Sequence, residues 1–199
     1  MKIYYTDIRA QDESRSLYPP LSSSRGSAFG ASLLAYAYGD FRSAERSVLP
    51  QIKRLLGGKP VFAKEPGLHF SISHSRTHVL CALSGAHVGA DIHDHRPVRP
   101  DTIARLASPE ELEHFTFYEL WCLRESCFKL TGQGNLRNMR FSRENGKIIA
   151  PDPEVFCRIY GDVPDCTVAV CSRKDSFPDE LIEVPVEKLL KKESRLLNT

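Results

Sequence analysis

Acidic, basic and hydroxyl side chains recur between His69 and Gly134 at spacings that would let them hold a metal ion and a phosphate. In GADIH (Gly89 to His93) a period of two puts Val88, Ala90 and Ile92 on one face of a strand and Asp91 and His93 together on the other. In FYELWCLRESCFKLTGQG (Phe117 to Gly134), Trp121, Glu125 and Lys129 recur every four residues as one helical stripe, and Leu120, Leu123, Cys127 and Leu130 supply an apolar seam. Magnesium needs few protein oxygens and completes its shell with water or phosphate, so Asp91 and Glu125 from two elements would suffice. The competing reading is a strand end and a solvated helix residue. On that reading Lys129 is an exposed i,i+4 partner of Glu125 with little energetic weight; on the first it reaches a bound phosphate.

Ser73, His74 and Ser75 sit where a strand turns, and their hydroxyls and imidazole could donate to a phosphate, with Lys59 between Gly58 and Pro60 as a further point charge. A structural turn is the alternative, and the absence of a G-x-S-x-G elbow argues against a serine nucleophile for acyl transfer. His93, Asp94 and His95 alternate as strand residues around a transition metal could, but they lack zinc-motif spacing, and solvated residues after a strand end fit equally.

The elements that must position these residues read as a first strand at Lys2 to Ile8, a polar loop, a helix at Ser27 to Tyr38 and a second helix at Arg42 to Leu56. Extended segments follow at His69 to Ser73, Thr77 to Leu83 and His87 to His93. A short helix is expected at Asp101 to Leu106, another starting at Ser108-Pro109, and the long one at Tyr118 to Leu130. Strands flanking the ENG turn, then Val155 to Tyr160, Cys166 to Ser172 and Leu181 to Val184, complete the pattern. Helices followed by strands occur twice, which predicts an α+β fold of two similar lobes in a pseudo-twofold arrangement, residues 1–85 and 86–199, the second carrying most of the metal site. With 199 residues and 41% hydrophobic content the chain can bury a real core. Lys plus Arg, 27, nearly balance Asp plus Glu, 25, so nothing in the net charge points to nucleic acid or an anionic membrane. The N-terminal charges and the lack of a long apolar run predict a soluble, cytoplasmic protein. The six cysteines lie in apolar runs without a C-x-x-C pair and are expected to be reduced and buried.

Taken in order, GKP (Gly58 to Pro60), FSISHS (Phe70 to Ser75), GADIH, SPEE (Ser108 to Glu111) and W-x-x-R-E-S-x-x-K-x-x-G-x-G (Trp121 to Gly134) resemble the surfactin-type 4'-phosphopantetheinyl transferases, and the resemblance runs from Ser24 onward. It implies a monomer with coenzyme A and magnesium, or manganese, in the cleft between its lobes, moving phosphopantetheine to a serine of an acyl, peptidyl or aryl carrier protein. On the family pattern Asp91 and Glu125 hold the metal with His93 beside them, Lys129 contacts the pyrophosphate, and Lys59, Ser73 and His74 grip the nucleotide phosphates. Glu125 or Glu111 helps to deprotonate the serine. The chain departs from the pattern in three places. His93 stands where a second acid is usual, Arg124 where lysine is common, and Arg15 and Arg25 are the available substitutes for a lysine-rich segment that clamps the 3'-phosphate. A degenerate relative that binds without turnover is the main rival, and a phosphoester hydrolase using His93, His95 and Asp91 a lesser one.

Overall fold

The computed structural model describes residues 1–9, 11–22, 26–43, 48–55 and 58–191. Its strands are β1 (Lys2–Asp7), β2 (Ile52–Arg54), β3 (Pro60–Phe62), β4 (His69–His74), β5 (His78–Ser84), β6 (Val88–Asp94), β7 (Ser142–Glu144), β8 (Lys147–Ile149), β9 (Phe156–Tyr160), β10 (Cys166–Ser172) and β11 (Ile182–Glu183). The helices are α1 (Ser27–Phe41), α2 (Pro100–Leu106), α3 (Pro109–Leu112) and α4 (Phe117–Thr131). The fold is mixed α+β, as expected.

Two sheets carry the architecture, one in the order β11-β1-β5-β4 and one in the order β6-β10-β9. Strand alternation sorts their side chains into layers. Tyr4, Val79, Cys81 and Leu83 pack with Phe29, Leu33 and Leu34 of α1 on the outer face of the first sheet. Ile3, Tyr5, Leu80 and Ala82 from its inner face meet Val88, Ala90, Ile92, Val168 and Val170 of the second sheet. Ala169 and Cys171 on the far face of that sheet pack under Leu120, Leu123 and Cys127 of α4. The result is helix, sheet, sheet, helix. In each half a first strand precedes a 15-residue helix and then a hairpin whose last strand pairs with the first: β1 with β5, and β6 with β10. The chain end returns to the first half, where β11 runs parallel to β1 and Val184 and Leu189 join the core under α1.

The two sheets meet along edge strands β4 and β6, and serine hydroxyls on β4 bond to β6 there. Ser71 Oγ accepts from the Ala90 N–H at 2.9 Å, and Ser73 Oγ donates to Asp91 Oδ1 at 2.7 Å. Hydroxyls can do this because they both donate and accept.

One expected element is corrected. The helix read from Arg42 to Leu56 is not formed: Arg42 caps the end of α1, and Ile52–Arg54 pairs antiparallel with Pro60–Phe62. Pro50 supplies the reason, since it lacks an N–H and disfavours helical geometry at Leu49. Residues 44–47 and 56–57 of that stretch lie outside the described residues. The free cysteines match the expectation, all but Cys157 being buried, and no helix among the described residues is long and apolar enough to cross a membrane.

Gly89 sets how closely α4 approaches β6. A Cβ there would lie 2.0 Å from Ser126 O and 2.4 Å from Leu130 N, both backbone atoms of the helix. Backbone cannot swing aside as a side-chain tip can, so Gly89→Ala should destabilise by about 2–3 kcal/mol, the upper part of the overpacking range. Urea unfolding checks this; an unchanged midpoint would contradict the packing described.

Candidate active site

The stripe of α4 runs antiparallel to β6, with Trp121 edge-on to His93 at 6.5 Å and Lys129 beside Asp91. Asp91, buried at 5% exposure, leaves the same face of β6 as His93, as the alternation predicts, while Val88, Ala90 and Ile92 enter the core between the sheets. Lys129 Nζ lies 2.6 Å from Asp91 Oδ1, 2.8 Å from Ser73 Oγ and 3.3 Å from Ala90 O. Three side chains from β4, β6 and α4 therefore converge where the two sheets and the helix meet. Lys129 pairs with Asp91 across the seam, not with Glu125 along its own helix.

Glu125 lies one turn before Lys129 and is half-buried. Its carboxylate has no hydrogen bond or ion pair among the described residues, and burial, followed by the charge of Asp91, raises its pKa against the opposing pull of Lys129 and His93. Asp91 already has the Lys129 ammonium, so a further cation here would chiefly relieve the partly desolvated Glu125 carboxylate. Two hard oxygens with an imidazole beside them fit magnesium or manganese by donor chemistry. Ligand atoms of Asp91, Glu125 and His93 do not fall within 4.8 Å of one another; among the described residues the group that does is His78, Asp94 and Cys166. The sequence reading missed that group, because its members come from three separate strands. His93, Asp94 and His95 do not share a ligand position either. His93 Nδ1 bonds to Asp94 O, His95 Nε2 to Thr167 Oγ1, and both rings pack on Tyr118.

Lys59 reaches the same seam from the other side. Its Nζ donates to Val88 O at 3.1 Å and Leu130 O at 3.2 Å, no carboxylate pairs with it among the described residues, and burial lowers its pKa. Two carbonyls use two of its three N–H donors and leave one for an anion. A cavity of about 230 Å³ opens beside it, walled by Pro60, Phe70, Ile72 and Phe128 and reached by Lys129. His74 closes β4 against the start of α1, where a Cβ on Gly26 would come within 3.1 Å of the His74 Cβ, and Gly26 has a φ of +83°. Burial, then Lys129, lowers the His74 pKa and favours the neutral ring. Ser75 serves the turn itself, accepting from the N–H groups of Thr77 and His78. Arg25 lies outside the described residues.

The structure does not bring Glu111 to this site. It is 3% exposed and its oxygens accept from Arg124 Nη2, Ser108 N and Phe141 N, so this one of the two residues expected to help take a proton is engaged as a structural acceptor.

No family model matches the chain. It is, however, 32% identical over 151 residues to the 4'-phosphopantetheinyl transferase Sfp of Bacillus subtilis (strain 168), covering 67% of this chain and 67% of that protein. The chain belongs to the 4'-phosphopantetheinyl transferase family. The family's psf-1 from Bacillus pumilus is 31% identical over 159 residues, covering 71% of this chain and 67% of its own. The transferase ffp of Bacillus subtilis is 30% identical over 151 residues, 67% of each. In this phosphopantetheinyl transferase sequence the glycine of GADIH has a packing reason, and the arginine before Glu125 is wholly inside the second half of the fold, bonded to Glu111 and to the carbonyls of Leu106 and Met139. Arg124 thus faces away from the seam although it adjoins Glu125 in sequence.

Proposed function

We propose that the chain transfers the 4'-phosphopantetheine group of coenzyme A to a serine of an acyl, peptidyl or aryl carrier protein and releases adenosine 3',5'-bisphosphate. The observation that carries this reading is the convergence of Asp91, Ser73 and Lys129 with the carboxylate of Glu125, which has no hydrogen bond or ion pair among the described residues, beside a cavity that Lys59 and Lys129 both reach. Carboxylates, ammonium groups and a hydroxyl gathered at one seam suit a pyrophosphate and a divalent cation better than a binding surface without chemistry.

Asp91 and Glu125, with His93 adjoining, would hold magnesium or manganese, which when bound neutralises charge on the pyrophosphate oxygens. Lys129 contacts that pyrophosphate, and Lys59, Ser73 and His74 hold the nucleotide end, with Arg25 assigned to the 3'-phosphate. The serine oxygen forms a bond to the phosphorus attached to pantetheine while the bond from that phosphorus to the bridging oxygen breaks. The hydroxyl proton passes to Glu125. A carboxylate has two oxygens, so one engaged with a cation leaves the other able to accept. The electron pair of the broken bond leaves on adenosine 3',5'-bisphosphate, where a nearby ammonium stabilises it.

The shared order of strand, helix and hairpin in the two halves supports a two-lobed, pseudo-twofold arrangement divided near Gly85, with the closing segment from Leu181 packed on the first lobe. The reduced thiols suit a cytoplasmic location. Carrier-dependent release of adenosine 3',5'-bisphosphate, followed by liquid chromatography, tests the reaction. Release that needs both coenzyme A and an apo carrier supports it, and coenzyme A binding with no release on several carriers overturns it. Lys59→Ala should raise the KM for coenzyme A roughly 10- to 100-fold, since a charge-assisted hydrogen bond contributes about 1.5–3 kcal/mol, and leave kcat nearly unchanged.

A further inference from the structure

Three strand ends meet on the side of β6 that faces away from α4. His78 opens β5, Asp94 closes β6 and Cys166 opens β10, lying opposite Asp94 in the ladder. One ligand atom from each lies within 4.8 Å of the other two. His78 Nδ1 is 3.4 Å from Cys166 Sγ, and Cys166 Sγ is 3.6 Å from Asp94 Oδ1. A tetrahedral ion with bonds of about 2.0–2.3 Å has edges between its ligands of about 3.3–3.8 Å, so both distances already match edges of one tetrahedron. The Thr77 hydroxyl bonds to Asp94 and lies 2.8 Å from His78 Nδ1, holding the two side chains in register.

The imidazole and thiol are 2% and 3% exposed, whereas Asp94 faces a cavity of about 400 Å³ rimmed by Arg9, Arg76, His95 and Arg96. We propose that His78, Asp94 and Cys166 form a second metal site, for a borderline-soft divalent ion of the zinc class, distinct from the oxygen-rich site at Asp91. Thiolate and imidazole select such an ion over magnesium. One thiolate and one carboxylate balance its charge, the thiol proton passing to solvent on binding. The cavity leaves the fourth position to water; its rim carries Asp165 as well as the arginines, and Arg9 is already paired with Asp7. Because His78 belongs to the first sheet and Asp94 and Cys166 to the second, the ion would clip the two sheets together.

The test uses the full chain, stripped with a chelator and titrated with cobalt(II). One equivalent should give a near-ultraviolet sulfur-to-cobalt charge-transfer band that zinc displaces. Zinc at about 100 times its dissociation constant should raise the Tm by roughly 5–10 °C. Cys166→Ser and His78→Gln should each lose the band, while Cys166→Ser keeps magnesium-dependent transfer. If Cys166→Ser does not fold, His78→Gln decides. Absence of the band, or its persistence in the variant that folds, overturns the site; a band with no gain in Tm overturns its role as a clip.

Discussion

Replacing Glu125 by glutamine should lower kcat/KM for carrier modification by about 100-fold or more and, in metal-free buffer at neutral pH, raise the thermal midpoint. The loss follows from removing the proton acceptor, for which a contribution of about 10²–10⁴-fold is usual. The gain in stability follows from linkage. Burial and Asp91 raise the folded-state pKa of Glu125 above its ordinary value of 4.5. Between the two pKa values the folded state therefore binds more protons than the unfolded state, and stability falls as pH rises through that window. Above the raised pKa the cost of the ionised carboxylate is fully present. Glutamine never ionises, so the variant should match wild type below the glutamate range and exceed it above. Thermal melts across that range and initial transfer rates are the measurements. A variant that transfers normally would remove Glu125 from the chemistry, and one that is less stable at neutral pH would mean its charge is compensated in the folded state.

Arg124→Ala should destabilise the fold by about 3–5 kcal/mol, the usual cost of breaking a buried ion pair from one side. Arg124 and Glu111 have side chains 2% and 4% exposed, and Nη2 lies 2.8 Å from both carboxylate oxygens. Losing the guanidinium leaves a buried carboxylate with two backbone N–H donors, from Ser108 and Phe141, and only the more distant Arg140 at 3.9 Å to balance its charge. Arg124→Lys keeps the charge beside Glu111 but loses the Nε and Nη1 bonds to the carbonyls of Met139 and Leu106, so it should fall between Ala and wild type. Glu111→Gln should unfold at lower urea yet leave kcat/KM of the folded protein close to wild type. A Glu111→Gln protein that is stable but inactive would return that residue to the proton-transfer role the sequence suggested.

Periodicity made the site faces of β6 and α4 readable because a strand alternates every two residues and a helix returns every four, so Asp91 with His93, and Glu125 with Lys129, could be grouped before any coordinates. It could not say which partner Lys129 takes. An i,i+4 neighbour is visible in sequence; Asp91 is 38 positions away and only the packing of two sheets brings it to 2.6 Å. Glu111 misled for the same reason, since a carboxylate in an N-terminal helical turn reads alike whether it faces solvent, a substrate or a buried arginine. The expected helix at Arg42 to Leu56 gave apolar spacing more weight than Pro50, and Ile52–Arg54 is instead a strand paired with Pro60–Phe62. Gly89 was legible as part of a motif, but its reason, the backbone of α4 at 2.0 Å from a would-be Cβ, exists only in three dimensions.

The most direct measurement is the intact mass of an apo carrier protein after incubation with the chain, coenzyme A and magnesium, with manganese, Asp91→Asn and His93→Glu run in parallel. The proposed chemistry predicts a mass gain of one phosphopantetheine on the carrier serine with wild type and its loss with Asp91→Asn. His93→Glu, which restores a second acid, should work at lower magnesium. Unmodified carrier with wild type under either metal, across acyl, peptidyl and aryl carriers, would contradict the transfer reaction and leave a protein that only binds.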